Sequence, residues 1–109
     1  MLNKTYKLRY LPLFYVDLEE KILYIANELK NPAAAEKLLG EVEQAIKDRL
    51  NMPEAYEPYE SIKGRKHRYY RIYVDNFVVY YVVIDEGELG KYMEVRRLLY
   101  KGQNRESIV

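Results

Sequence analysis

The sequence predicts an α+β fold in which two helices cover one face of a mainly antiparallel sheet. Three observations lead to this fold class: an alternating apolar pattern near the start, two amphipathic stretches after it, and runs of β-branched and aromatic residues in the second half. A chain of 109 residues is long enough for one hydrophobic core, so we expect a single domain over residues 1–109. The predicted order is an N-terminal strand, a two-helix hairpin, and then three or four antiparallel strands.

The first strand is predicted at YKLRYL, where apolar and basic side chains alternate as they do in a half-buried strand. Pro12 suits the first turn of a helix, because its missing N–H would have no helical partner there. Apolar residues then recur at helical spacing, which predicts one buried helix face made by Phe14, Leu18, Ile22, Ile25 and Leu29.

A second helix is predicted after the break KNPAAAEK, where Asn31 can cap the free N–H groups of the new helix. The helix should end near Met52, because Pro53 follows. Its apolar stripe consists of Leu38, Leu39, Val42, Ala45, Ile46 and Leu50. Two amphipathic helices joined so closely form a hairpin.

A β-hairpin is predicted from Arg68 to Val74 and from Phe77 to Ile84, since Asp75-Asn76 between them suits a tight two-residue turn. This turn places Val74 opposite Phe77, and we expect the hairpin to lie centrally in the sheet. The face that meets the helices would then consist of Tyr70, Ile72, Val74, Phe77, Val79, Tyr81 and Val83. The last strand, Lys91 to Tyr100, carries Met93, Val95 and Leu99 as its apolar residues.

The opposite sheet face is predicted to carry Tyr69, Arg71 and Tyr73. Charge supports a binding role for this region, because residues 17–60 have eleven acids and five bases whereas residues 61–109 have ten bases and six acids. We therefore expect a surface for nucleic acid or an acidic partner, with Lys63, Arg65, Lys66 and Arg68 beside the tyrosines. The alternative is a solvated basic edge beside half-buried structural tyrosines.

Several classes of function are excluded by composition. The chain has no cysteine and one histidine, so disulfides, thiolate catalysis and a histidine-based zinc site are not expected. His67 stands between two cations and is interpreted as a surface residue. We expect no cofactor, no metal, no secretory leader and no membrane span, and therefore a cytoplasmic protein.

Four segments in chain order carry a family likeness: DLEEKILYIANELKNPAAAEKLL, a basic stretch, HRYYRIYVDNFVVYYVV and the closing MEVRRLLYKGQN. Together they resemble the RelE/ParE superfamily of toxins from bacterial type II toxin–antitoxin operons, whose members include plasmid stabilisation proteins. The resemblance covers roughly Tyr6 to Asn104 and concerns the superfamily rather than one member.

The resemblance implies two possible activities, because RelE-like members cleave mRNA on the ribosome without a metal and ParE-like members poison DNA gyrase. Arg71 falls where the RNases keep a basic residue, and Tyr100 falls near the aromatic or histidine that ends their last strand. Val78 replaces their key arginine, and Gly102-Gln103 replaces a basic pair. Cleavage would then need a substitute cation, for which the resemblance leaves Arg65, Arg96, Arg97 and Arg105.

These departures favour a toxin with a ParE-like, gyrase-directed mode. Two alternatives stay open: a ribosome-dependent endoribonuclease using Arg71, Tyr100 and Arg97, and an inactive interaction module that keeps the fold. The resemblance also implies a cognate antitoxin as partner. We expect an acidic and apolar antitoxin segment to lie across the basic sheet region and the helix hairpin.

Overall fold

The computed structural model describes residues 6–58 and 67–103. Its strands and helices are β1 (Tyr6–Tyr10), α1 (Pro12–Leu23), α2 (Pro32–Arg49), β2 (Tyr70–Val74), β3 (Phe77–Asp85) and β4 (Lys91–Tyr100). A π-helical turn, Tyr24–Glu28, follows α1, and a short 3-10 turn, Gly87–Leu89, connects β3 to β4. The predicted order of a strand, a helix hairpin and antiparallel strands is confirmed.

The four strands form one mixed sheet in the order β1-β4-β3-β2. Neighbouring strands β2, β3 and β4 are antiparallel, whereas β1 runs parallel to β4. A parallel pair needs a long connection, and the one between β1 and β4 contains both the helix hairpin and the β2–β3 hairpin. The β2–β3 hairpin was expected to be central. This is wrong for β2, which lies at an edge of the described sheet, while β3 and β4 form its centre.

The predicted register of the hairpin is confirmed. Val74 pairs with Phe77, and Ile72 pairs with Val79. Asp75 adopts a φ of 53°, the left-handed conformation that a tight turn requires. The side chains expected on the helix-covered face all belong to the main core or pack against it: Tyr70, Ile72, Val74, Phe77, Val79, Tyr81 and Val83.

Both helices begin where the sequence predicts. Pro12 is the first residue of α1, and the Asn31 side chain caps α2 by accepting a hydrogen bond from the Ala34 N–H at 3.1 Å. The first helix departs from its expected course after Leu23, where the chain widens into the π-helical turn. Leu29 and Leu39 were expected in the core, but they are 56% and 37% exposed. The core stripe was therefore predicted too long on α1 and too wide on α2.

A β-bulge interrupts the pairing of β3 with β4. Tyr80 pairs with Arg97 and Tyr81 with Val95, so Arg96 is an extra residue in β4. The residues after it exchange faces: Leu98 packs in the core under the helices, and Leu99 packs in a second cluster on the other side. Without the bulge, alternation would place Leu99 on the same face as Met93 and Val95.

Candidate functional site

The sheet face away from the helices, called here the open face, is largely buried at its centre. A second apolar cluster lies there, formed by Tyr69, Val78, Tyr80, Val82 and Leu99. Tyr69 was predicted as an exposed binding residue, but it is only 7% exposed. Its ring meets Tyr80 edge-on at 6.4 Å between centroids, and its hydroxyl accepts a hydrogen bond from Arg96 Nη1 at 3.1 Å. Its burial leaves it little surface for a partner.

Two arginines on the open face hold one glutamate between them. Glu94 Oε1 accepts a hydrogen bond from Arg9 Nε at 2.9 Å, and Glu94 Oε2 accepts one from Arg96 Nε at 2.9 Å. The Arg9 guanidinium also stacks over the Tyr92 ring, 4.3 Å from its centroid. Because the Glu94 side chain is only 7% exposed, this cluster is a shielded ion-pair network that joins β1 to β4.

Arg97, a predicted catalytic residue, is bound by a carboxylate that the sequence interpretation overlooked. Arg97 Nε and Nη2 donate to the two Asp17 oxygens at 2.7 and 2.8 Å, and the Leu98 N–H donates to Asp17 Oδ2 at 2.9 Å. Asp17 is 4% exposed. Since β1 ends at Tyr10, α1 lies beside the second half of β4, and Asp17 accepts a strand N–H there. An acid three residues after the core residue Phe14 was the available signal.

The structure does not bring Arg71 and Tyr100 together. Arg71 pairs with Tyr80 on the open face, whereas Tyr100 pairs with Phe77 on the helix side. The Tyr100 and Phe77 rings are 4.9 Å apart between centroids. The two predicted catalytic side chains therefore belong to opposite faces of the sheet.

An exposed aromatic side chain with two nearby cations remains on the open face. Tyr73 is 56% exposed, and Arg71 Cζ and Lys101 Nζ lie 5.9 and 5.8 Å from its ring centroid. We call these three residues the Tyr73 patch. Arg68 is exposed nearby in the chain. The other predicted binding residues, Lys63, Arg65 and Lys66, lie outside the described residues.

Tyr81 is a structural tyrosine on the helix side. Its hydroxyl donates to the Pro53 carbonyl at 2.7 Å and accepts from Arg49 Nη1 at 2.9 Å. Burial raises the pKa of Tyr81 to about 12, against the opposing effect of Arg49. Arg49 also donates to the Arg71 carbonyl at 3.1 Å and stacks 3.5 Å over the Tyr56 ring. This cluster ties the end of α2 to β2 and β3.

Among residues 6–58 and 67–103, no group of three or more histidine or acidic side chains is placed to hold a metal ion. Within the same ranges, no helix combines the length and apolar character that crossing a membrane requires.

Comparisons with known proteins agree in both sequence and structure. Residues 8–102 match the family described as the ParE toxin of type II toxin–antitoxin system, parDE. A search of curated proteins gives no match. A solved structure described as the chromosomal ParDE TA system from P. aeruginosa superposes with a TM-score of 0.69 at 14% identity, covering 88% of this chain and 96% of that chain. The structural likeness concerns the fold, and the sequence match concerns the family.

Proposed function

The chain belongs to the family of ParE toxins of type II toxin–antitoxin systems, and from this premise we propose that it arrests growth by acting on DNA gyrase in the cytoplasm. Family membership supports a toxin role and an antitoxin as partner. The cellular target is the step that we propose.

The separation of Arg71 from Tyr100 carries the proposal. Metal-free RNA cleavage needs a base, a cation and an acid around one phosphate. Arg71 lies on the open face and Tyr100 on the helix side, so these two cannot share a phosphate without rearrangement of the sheet. This arrangement favours a mode of action that depends on binding rather than on cleavage.

The state of Arg97 supports the same conclusion. Its guanidinium is engaged by both oxygens of Asp17, and its side chain is only 18% exposed. A cation that already has a buried partner cannot neutralise a transition-state phosphate without breaking that pair. Val78, at the position where the RNases carry an arginine, is 1% exposed and packs in the open-face cluster.

The accessible part of the open face is the Tyr73 patch. Cations beside an exposed aromatic ring suit an interface with an acidic or aromatic protein surface. Tyrosine and arginine are enriched among the interface residues that contribute most to the binding free energy. We propose that this patch contributes to recognition of the target or of the antitoxin, together with the basic segment Lys63, Arg65 and Lys66.

Two assays with the purified chain test the proposal. In the first, supercoiled DNA is incubated with gyrase, ATP and the chain, and cleaved DNA is quantified. In the second, mRNA on translating ribosomes is mapped for new ends. We expect cleaved DNA that depends on gyrase, together with intact mRNA.

The other possible results contradict the proposal in different ways. Cleaved mRNA that falls by at least about a hundredfold in Arg71→Ala, and is slowed in Tyr100→Phe, would establish the RNase mode. A folded chain that gives neither product would establish an inactive interaction module.

A further inference from the structure

The first helix reverses the usual pattern of a surface helix, because it buries charged residues and exposes apolar ones. Its buried side chains are Phe14, Asp17 and Lys21. Four large apolar side chains of the same helix are each between 47% and 54% exposed: Leu13, Tyr15, Val16 and Leu23. A surface helix normally turns its apolar residues to the core and its charges to solvent. Exposed apolar side chains grouped in this way mark the solvent side of α1 as a binding surface.

A depression of about 410 Å3 lies between α1 and α2 on this side of the molecule. Tyr15, Val16 and Leu39 line it, and we call these three residues the hairpin patch. Leu18 and Ile22 also line the depression, and both pack against the core beneath it. A hydrophobic groove between two helices fits the apolar face of an amphipathic helix from a partner.

A glycine stands beside the hairpin patch in the interior of α2. Gly40 is exposed and follows Leu39 directly. A Cβ at Gly40 would meet nothing within 4 Å beyond the local helix, so packing within the chain does not require glycine there. Glycine is also less favourable than alanine in a helix interior. The missing side chain leaves room for a partner to approach the α2 backbone closely.

The charged residues next to the hairpin patch are acidic. Glu19 of α1 lines the depression. On α2, Glu36 lies three residues before Leu39 and Glu43 four residues after it, so both share its side of the helix. All three glutamates are exposed. Carboxylates therefore stand on both sides of the apolar depression.

The four bases of the two helices lie away from the hairpin patch. Lys21 is buried, and Arg49 donates to the Tyr81 hydroxyl at the end of α2. Lys37 lines a separate depression beside the β2–β3 turn and forms an ion pair within α2. Lys47 is eight residues beyond Leu39, about 12 Å along the helix. A second copy of the chain would bring acid against acid at this patch, whereas a basic partner would be attracted.

We propose that the hairpin patch binds the target of the toxin through a helix whose apolar stripe is flanked by lysine or arginine. Apolar side chains of that helix fill the depression against Val16 and Leu39, and its backbone passes close to Gly40. Its cations pair with the glutamates on both sides. An acidic antitoxin segment suits the basic segment and the Tyr73 patch instead. The inference rests on the proposed function, because it assigns this surface to the target, proposed above to be gyrase.

Two measurements test the hairpin patch: binding of the purified chain to gyrase by biolayer interferometry, and growth arrest on induced expression without antitoxin. Val16→Ser removes an apolar contact and Glu43→Lys reverses an acid, and each should weaken gyrase binding about tenfold. Gly40→Gln places a side chain in the path of the partner helix. We expect about tenfold weaker binding by this variant, with an unchanged or higher Tm because glutamine is the better helix former.

The matched controls lie in the Gly87–Leu89 turn, outside both helices. Leu89→Ser truncates a leucine that is 67% exposed, and Glu88→Lys reverses an exposed acid. Thermal unfolding followed by circular dichroism shows whether each variant is folded. Affinity for the antitoxin encoded beside the toxin gene is measured for the same variants and should stay within twofold of that of the unmodified chain.

The results separate this inference from the identity of the target. Support requires weaker gyrase binding and weaker growth arrest in all three patch variants, with both controls and antitoxin affinity unchanged. Gyrase binding and growth arrest that do not change in the patch variants would overturn the inference and keep gyrase as the target. Weaker growth arrest in the patch variants of a chain that does not bind gyrase would support the patch and reject gyrase.

Three other outcomes would overturn the inference. Loss of antitoxin binding alone would assign the hairpin patch to the antitoxin. Loss of self-association alone would assign it to a second copy of the chain. Tighter gyrase binding by Glu43→Lys would show that the partner is acidic at this surface.

Discussion

Replacing the buried Asp17 with alanine should cost far more stability than replacing an exposed acid of α1. The carboxylate accepts three hydrogen bonds, two from Arg97 and one from the Leu98 N–H, and Asp17 is only 4% exposed. Removing one member of a buried ion pair leaves the other charge without a partner and typically costs about 3–5 kcal/mol. The total free energy of unfolding of a domain is only about 5–15 kcal/mol.

Urea unfolding followed by circular dichroism measures this loss. With a slope of about 1–3 kcal/mol per molar urea, Asp17→Ala should lower the midpoint by roughly 2 M. Asp17→Asn keeps the shape and one acceptor, so its midpoint should fall between those of Asp17→Ala and the unmodified chain. Glu19→Ala is the matched control, since Glu19 is an exposed acid on the same helix and its removal should change stability by no more than about 0.5 kcal/mol.

A double-mutant cycle then measures the interaction free energy between Asp17 and Arg97. Arg97→Met in the Asp17→Ala background removes the unpaired cation, and the double variant should be more stable than the two separate losses predict, by about 1–3 kcal/mol. An Asp17→Ala chain within about 1 kcal/mol of the unmodified protein would refute the reasoning, because Arg97 would then not depend on this carboxylate. Arg97 could then serve as the cation that the RNase hypothesis requires.

Four further predictions concern other parts of the molecule. Because the pKa of Tyr81 is raised from 10.0 to about 12, its contribution to stability should be intact below about pH 10 and should disappear as the pH rises toward 12. The difference in unfolding free energy between the unmodified chain and Tyr81→Phe should shrink over that range, and a constant difference would contradict the assignment. Arg49→Met removes donors to the Tyr81 hydroxyl and the Arg71 carbonyl and should cost about 2 kcal/mol, seen as a fall in Tm, whereas an unchanged Tm would contradict a structural role. Antitoxin association should become slower and less salt-dependent, without a matching change in dissociation, when serine replaces Lys63, Arg65 and Lys66. Truncation of the exposed Tyr73 to alanine should instead speed dissociation, and salt-independent association of the unmodified pair would exclude steering by the basic segment.

The parts of the fold that could be predicted from the sequence are those fixed by local chemistry. Asp75-Asn76 allows a two-residue turn, which leaves one pairing of the flanking strands and therefore one core face. Pro12 and Asn31 marked the helix starts because each acts on the backbone groups next to it. Features that depend on distant contacts were not accessible in this way. The spacing from Phe14 places Asp17 on the buried face of α1, but its partners, Arg97 and the Leu98 N–H, are 80 and 81 residues away in the chain, and no local pattern indicates them.

The β-bulge at Arg96 explains why the candidate catalytic site was harder to predict than the fold. Uninterrupted alternation from Val95, which faces the helices, would place Tyr100 on the open face with Arg71. One extra residue reverses this, so that Leu98 and Tyr100 face the helices and Leu99 faces the other way. Adjacent Arg96 and Arg97 consequently serve two different carboxylates, Glu94 and Asp17.

The bulge affects possible chemistry more than it affects the fold of this chain. The extra residue at the bulge changes neither the order of the strands nor the helix-covered core formed by Met93 and Val95 before it. The same insertion decides which side chains face each other after the bulge, and an RNase site requires a cation and an aromatic or acidic group on one face. Sequence position at the end of β4 therefore cannot assign a catalytic role to Tyr100 by itself. Its face must be known, and here Tyr100 lies on the helix side beside Phe77.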